Sequence, residues 1–353
     1  MNQAVETIVI LTPAFPKNES ESSWVPSQQL LVKNLKSQFP DLKIVVLSFL
    51  YPYERSEYDW HKVKVIAFAG MYKKKLKHLW LWRNIWIELT KAKNKGKVIG
   101  ILSFWCNECA FIGKWFAHYH NLKHFCWICG QDAGRLNKYV KWIRPKSGEL
   151  VAISDFVSQE FARNHKIKPR YTIPNAVDTT LFPKESPLHR DIDILAAGSL
   201  IPLKQYDILV DIVAALVPSF PNIKVIHCGD GIEKEKLQTL IKKYGVESNI
   251  RLLGSIKHEE LLLLMQRTKI LLHPSRYEGF STVCLEALYG GSQVISFCYP
   301  LEYPVQNWHV AKNKEHMIER ASDILKTSGL EYAPVKLFSM DETAKAFVKL
   351  FEN

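Results

Sequence analysis

The chain has 353 residues, 47% of them hydrophobic and 23% charged, which is globular composition and too much chain for one ordinary core. No low-complexity stretch, repeat or apolar run of spanning length occurs; the richest run, LLLLMQRTKILLH, is broken by Gln266, Arg267 and Lys269. Lys+Arg 47 against Asp+Glu 35 gives a net charge of +12, which invites an anionic partner such as nucleic acid or a membrane surface.

The first residues, MNQAVETIVILTPAFP, lack the basic start and long apolar core of a secretory signal. Seven cysteines without small-domain spacing point to reduced thiols, so a cytoplasmic protein is expected. Strands are expected at TIVIL, KIVVLSF, VKVIAF, VIGILSF, HFCWIC and ELVAIS, with helices near 26–39, 76–93 and 107–119. Such alternation of β-branched runs with amphipathic stretches is the pattern of α/β layers on parallel sheets.

Residues 71–98 carry Lys73, Lys74, Lys75, Lys77, Arg83, Lys91, Lys93, Lys95 and Lys97 against Glu88 alone, with Trp80, Trp82 and Trp86 among them. Two readings fit one helix here: a solvated basic face with its aromatic side in the core, and a surface resting on anionic lipid headgroups. Nucleic acid ranks behind both. The stretch from Cys106 to Cys129 holds two Cys-x-x-Cys pairs at zinc-ribbon spacing, with His118, His120 and His124 nearby. Cys126 and Cys129 lie on a β-prone run, where positions three apart face opposite sides, and Cys109 heads a helical pattern. Packed thiols rather than a zinc site are therefore expected.

A Pro- and charge-rich break at 164–191 reads as a linker, dividing a first domain (1–168) from a second (169–338). The second series runs DIDILAAG, a helix from Lys204, NIKVIHCG, a helix near 233–244, NIRLLG, a helix near 258–267, KILLHPS and QVISF. A last helix over 339–353 opens on Ser339 with Glu342 three residues later, a capping box.

The informative stretch is HPSRYEGFSTVCLEALYGGSQVIS, residues 273–296, which reads as strand, loop, helix and strand. A helix starting near Ser281 turns the backbone N–H groups of residues 279 to 282 toward a ligand, a ready site for a diphosphate. Glu278 in the loop and Glu286 in the helix are placed to grip two parts of one ligand: sugar hydroxyls for Glu278, ribose hydroxyls for Glu286. Spacing alone is also met by any helix with acidic residues near its start.

Glu278-Gly279-Phe280 with Glu286 eight residues on resembles the signature of family 4 retaining glycosyltransferases, the group 1 glycosyl transferases of the GT-B fold. Gly198, Lys204 and Asp207 resemble that family's Gly-x-x-x-x-x-Lys-x-x-Asp segment, and Asn175, Val177, Asp178 and Phe182 its linker motif. HCGDGIEKEKL, IRLLGSIKHEEL, VAISDFVSQEF and FSMDETAKAFVKLF are similar to further blocks of it, and the likeness covers 150–353 well and the first half loosely.

The resemblance implies two Rossmann-like α/β/α domains facing across a cleft, with helix 339–353 returning to the first. It implies a hexosyl-type transfer from a nucleotide-sugar to a glycan or lipid-linked acceptor, in bacterial cell-surface polysaccharide or lipopolysaccharide synthesis. Lys204 would neutralise the leaving diphosphate, Glu278 hold the donor sugar and Glu286 the ribose, with Gly254, Ser255 and Ile256 meeting the base. Gly198, Ser199, Gly279, Phe280, Ser281 and Thr282 complete the donor side, and Gln131 and Asp132 stand on the acceptor side. No cofactor and no metal are expected. Two departures stand out: Ser199 replaces the family's Arg, with Arg276 or Lys257 as substitutes, and Cys129 replaces a His ahead of Gly130 and Asp132.

Two other function classes remain: a basic nucleic-acid-binding protein, and a GT-B binding module silent in catalysis because of Ser199. A dinucleotide-dependent dehydrogenase is disfavoured, since LTPAFPKNES and not Gly-x-Gly-x-x-Gly follows the first strand.

Overall fold

The computed structural model describes residues 5–21, 24–71, 75–183 and 189–352, without the side chains of 75–77. It divides into two compact units, Met1–Asn175 with Met340–Asn353, and Ala176–Ser339. The division falls after Asn175 rather than after residue 168, because the intervening residues are tied into the first unit. Tyr171–Thr172 is a strand of its sheet, the Ile173 carbonyl accepts from Trp127 Nε1 (3.1 Å), and Asn175 Nδ2 donates to Ser27 Oγ (3.0 Å).

In the first unit β1 (Glu6–Ala14) is buried at almost every position, as a strand covered on both faces must be. The chain moves outward through α1 (Pro26–Gln38), β2 (Lys43–Tyr51), β3 (Ser56–Trp60) and β4 (Val63–Ala67). It then crosses by α2 (Lys75–Lys95) to β5 (Lys97–Phe104) on the other side of β1. From there it continues through α3 (Glu108–Tyr119), β6 (Lys123–Ile128), α4 (Tyr139–Ile143), β7 (Leu150–Ala152), α5 (Asp155–His165) and β8 (Tyr171–Thr172). The order is β3-β4-β2-β1-β5-β6-β7-β8, parallel throughout except for β3 on β4. Ser154 caps α5 by accepting from the Val157 N–H at 3.2 Å.

The second unit repeats the plan: β9 (Ile192–Ala197), α6 (Tyr206–Leu216), β10 (Val225–Cys228), α7 (Lys234–Tyr244), β11 (Ile250–Gly254), α8 (His258–Gln266), β12 (Thr268–His273), α9 (Thr282–Tyr289), β13 (Gln293–Ser296), β14 (Trp308–Val310) and α10 (Lys314–Lys326). Its six parallel strands lie in the order β11-β10-β9-β12-β13-β14. Finally α11 (Met340–Glu352) rejoins the first unit, setting Phe347 edge-on to Trp127 (5.1 Å) and Phe351 edge-on to Phe125 (5.1 Å).

Four short elements and one longer helix exceed the sequence reading: β3, β8, β14, α4 and α10. β3 is polar along most of its length, and its turn into β4 uses His61 and Lys62 at φ 45 and 62 instead of a glycine. In the basic stretch, Leu81, Ile85 and Leu89 of α2 enter the core while Leu79 and Trp80 stay 61% and 63% exposed. Trp82 and Trp86 lean inward on Phe111 and Phe116. Lys73 and Lys74 lie outside the described residues, as do the side chains of Lys75 and Lys77. No described helix is long and apolar enough to cross a membrane.

Cys106 follows β5, Cys109 sits in the first turn of α3, and Cys126 in β6; all three are buried free thiols, with Cys129 half-buried just beyond. Burial pushes the thiols of Cys109, Cys126 and Cys129 up. No group of three or more His, Cys, Asp or Glu among the described residues is placed to hold a metal ion.

Phe347, 1% exposed, anchors α11. Phe347→Ala should cost about 3–5 kcal/mol of stability in urea denaturation, as truncation of a buried aromatic does. A cost below about 1 kcal/mol would mean that α11 is not part of the first unit's core.

Candidate functional site

In the second unit the chain leaves β9 on one side through β10 and β11, then returns to the other side as β12. The loops beyond β9 and β12 therefore diverge and open a crevice at the carboxyl ends, where doubly wound sheets bind ligands. The loop after β9 holds Gly198, Ser199 and Lys204; the loop after β12 runs from Pro274 to Ser281. The Arg276 N–H donates to the Leu203 carbonyl (2.9 Å), which fastens one loop to the other.

That fastening sets the Lys204 Nζ on Glu278 Oε1 as a half-buried ion pair. His273, the last residue of β12, reaches the same oxygen through Nε2 at 3.1 Å. Burial alone would raise the Glu278 carboxyl, but His273 and Lys204 overcome it and hold the group at about 2. An ionised carboxylate only accepts, so Nε2 of His273 carries the hydrogen.

Thr282 opens α9, with Ser281 at the N-cap making no side-chain capping bond. Gly279 and Ser281 are buried. The Phe280 ring turns away from the loop into the core, between Trp308 (6.5 Å) and Phe338 (5.8 Å), so this residue offers a ligand its backbone only. Glu286 is 4% exposed and shares a 2.7 Å hydrogen bond with His258 Nε2 at the start of α8. Helix α9 stops at Gly290; Gly291 follows at φ 83, where a Cβ would lie 2.2 Å from the Tyr332 carbonyl.

Gly198 sits beside β10: its N–H donates to the Cys228 carbonyl, and a Cβ on Gly229 would lie 2.0 Å from the Gly198 carbonyl. Ser199 is exposed. Gly254 ends β11, two strands from β9, and Ser255 and Ile256 follow it exposed and half-buried. Of the two candidate substitutes for the absent Arg, Arg276 is exposed on the fastened loop beside Glu278, and Lys257 precedes His258.

Sequence reasoning gave His258 and His273 no role, although both stand within the stretches singled out above, because their partnerships with Glu286 and Glu278 depend on strand register. It also missed the buried polar pair beneath the crevice. His227 on β10 is fully buried under Tyr206 (centroids 4.3 Å), and neither its ring nitrogens nor the Tyr206 hydroxyl has a hydrogen-bond partner among the described residues. Burial lowers His227 to about 4, so it is neutral at physiological pH.

In the first unit the corresponding divergence lies between β1 and β5. Asp132 is used inside its own loop: its carboxylate accepts from the N–H groups of Cys106 (2.7 Å), Gly130 (2.8 Å) and Cys129 (3.1 Å). Burial pushes it up to about 6 in spite of these donors. Gln131, which is exposed, and half-buried Asp132 line an open cavity of about 330 Å³ with Cys106, Asn107, Gly134, Leu136 and Asn137.

The Glu286 carboxylate raises His258 above its ordinary 6.5, against burial. The stabilisation is full below 6.5 and lost as pH rises through the raised value. Urea denaturation of wild type and His258→Gln over roughly pH 6 to 9 should show a stability gap that narrows with rising pH. A gap that stays constant or widens would contradict the His258–Glu286 pairing.

Residues 178–324 match the family model described as glycosyl transferases group 1. A phosphatidylinositol N-acetylglucosaminyltransferase gpi3 subunit of Schizosaccharomyces pombe is 29% identical over 171 residues, 47% of this chain and 38% of that protein. The chain thus spans well under half the length of that relative. A glycosyltransferase from Rickettsia africae superposes with a TM-score of 0.73 over 100% of this chain and 98% of its own, at 14% identity. Anabaena Alr3699/HepE, solved in complex with UDP and glucose, superposes at 0.69 over 98% and 97%, at 16% identity. By fold the chain is a GT-B protein, and by its second unit it resembles the group 1 glycosyltransferases.

Proposed function

We propose that the protein is a retaining glycosyltransferase of hexosyl type, taking a sugar from a nucleotide-diphosphate sugar and passing it to a glycan or lipid-linked acceptor. Its setting in this reading is bacterial cell-surface polysaccharide or lipopolysaccharide synthesis at the cytoplasmic face of the membrane. The observation that carries it is the meeting of Lys204 with Glu278 where the sheet divides, beside the start of α9. Breaking a glycosidic bond builds positive character on the sugar and negative charge on the departing diphosphate. Such a site needs cations and N–H donors more than a strong base, and calls for no metal.

In this reading Lys204 and the N-terminus of α9 meet the diphosphate, and Arg276 supplies the cation that Ser199 does not. Glu278, kept ionised, receives the sugar hydroxyls and holds Lys204 extended until the donor arrives. Glu286, steadied by His258, takes the ribose, and the backbone from Gly254 to Ile256 takes the base. Gln131 and Asp132 shape the acceptor side through the loop that Asp132 holds. UDP and glucose in the HepE complex support a nucleotide-sugar donor, and the phosphatidylinositol in the yeast relative's name supports a lipid-linked acceptor. An anionic membrane surface against residues 71–98 belongs to the same reading, where exposed Leu79 and Trp80 stand with Arg83 over the Trp80 ring (5.5 Å).

Steady-state transfer, or slow donor hydrolysis, tests the assignment across a panel of nucleotide-sugars. Lys204→Ala should depress kcat about a hundred- to thousand-fold, or some 2–4 kcal/mol, because its contact strengthens as the bond breaks. Glu286→Ala should chiefly raise KM, since a ribose contact serves ground and transition states alike. Wild-type kinetics in both variants would remove the donor site from this crevice.

A further inference from the structure

We infer that the Tyr206 hydroxyl is a further hydrogen-bond donor to the diphosphate, covered by the Lys204 stem in the free protein and uncovered when Lys204 leaves Glu278 for the ligand. The inference rests on the donor-site reading proposed above and adds a residue to it. Tyr206 falls on an unspecified position of the Gly-x-x-x-x-x-Lys-x-x-Asp segment, between Lys204 and Asp207. It opens α6, directly after the loop that carries Gly198 and Lys204. The side chain is 2% exposed, yet its hydroxyl has no hydrogen-bond partner among the described residues. Buried hydroxyls are as a rule paired, and one that is not marks a strained or functional position.

Two observations aim this hydroxyl at the crevice. A Cβ on Gly198 would lie 2.7 Å from the Tyr206 hydroxyl and 3.7 Å from Lys204 Cε, so the glycine leaves hydroxyl and lysine stem side by side at the loop. Burial and then the Glu278 carboxylate raise the phenol above its ordinary 10, which sets it within the field of that carboxylate and keeps it a donor. The ring is braced edge-on by His227, with centroids 4.3 Å apart, and neither nitrogen of that imidazole bonds the hydroxyl. In the free protein the Lys204 ammonium is drawn to Glu278. A diphosphate between the two loops competes for that ammonium, and as the side chain swings its stem moves off the hydroxyl. A neutral O–H then gives a phosphoryl oxygen a charge-assisted hydrogen bond without another charge to desolvate. Such a donor suits a site where Ser199 supplies no cation.

The test is calorimetric titration and thermal shift of the full chain with UDP, GDP, ADP, CDP and the matching monophosphates, comparing wild type with Tyr206→Phe. The substitution removes one oxygen and keeps the ring on His227. Free Tyr206→Phe should melt at or above wild type, since no protein hydrogen bond is lost. Its affinity for the diphosphate that wild type binds should fall about tenfold or more, with a smaller loss for the monophosphate. The rise in melting temperature on adding that diphosphate should shrink in step. Unchanged diphosphate affinity in Tyr206→Phe would overturn the inference and leave the donor site standing. An equal loss for mono- and diphosphate would do the same, as would a less stable free variant with binding intact, the mark of a hydroxyl held by a buried water. A wild type that binds none of the diphosphates would instead remove the donor reading itself, and this inference with it.

Discussion

The level alignment of two parallel strands is the constraint on which the candidate site depends. Leu195 pairs with Leu271, the last pair between the two strands, and two residues further on β9 ends at Ala197 and β12 at His273. From this line the chain departs in opposite directions, the switch point of a doubly wound sheet, and the Arg276 N–H on the Leu203 carbonyl ties the two loops together there. Lys204 and Glu278, 74 residues apart in sequence, meet because each leaves from one lip of it. Taking both charges partly out of water is unfavourable, and the pair persists because His273 adds a further donor to the same carboxylate. What results is a preorganised cation beside an ionised acid, held at a helix N-terminus.

The two units use a similar sheet order and reach opposite electrostatic outcomes. In the second unit the carboxylate at the divergence is matched by the Lys204 ammonium and the His273 N–H and stays ionised far below neutrality. In the first, Asp132 is matched only by backbone N–H groups, and burial carries it up to about 6. Its work is to join Cys106 after β5 to Cys129 and Gly130 after β6, fixing the walls of the cavity beside Gln131. The cysteines that suggest a metal site by spacing are packed around that junction: Cys106 and Cys126 are buried neighbours, and Cys129 accepts from Gln28 at 3.6 Å.

Much of this was legible in the sequence because it depends on local patterns. The run KILLHPS, the glycine in Glu278-Gly279-Phe280 and the glycines 290 and 291 mark out strand, loop and helix without reference to anything distant. Segments whose structure depends on distant partners were not legible. β3 is polar and strand-like only because β4 pairs with it, and β14 has three residues. Helix α10 carries a local signal of its own, with Met317, Ala321 and Ile324 along one face and Asn313 as its cap. His258 and His273 act through Glu286 and Glu278, contacts set by the register of β12 and the start of α8. Phe280 shows the reverse case: it stands in the motif, but its ring packs between Trp308 and Phe338.

The most direct measurement is calorimetric titration of the full chain with nucleoside diphosphates and the matching monophosphates. The account predicts one site per chain that prefers a diphosphate, with affinity about tenfold or more weaker in Arg276→Ala if, as proposed above, that guanidinium supplies the cation that Ser199 does not. Equal affinity for mono- and diphosphates, or undiminished binding in Arg276→Ala, would contradict a diphosphate held between the loops of β9 and β12.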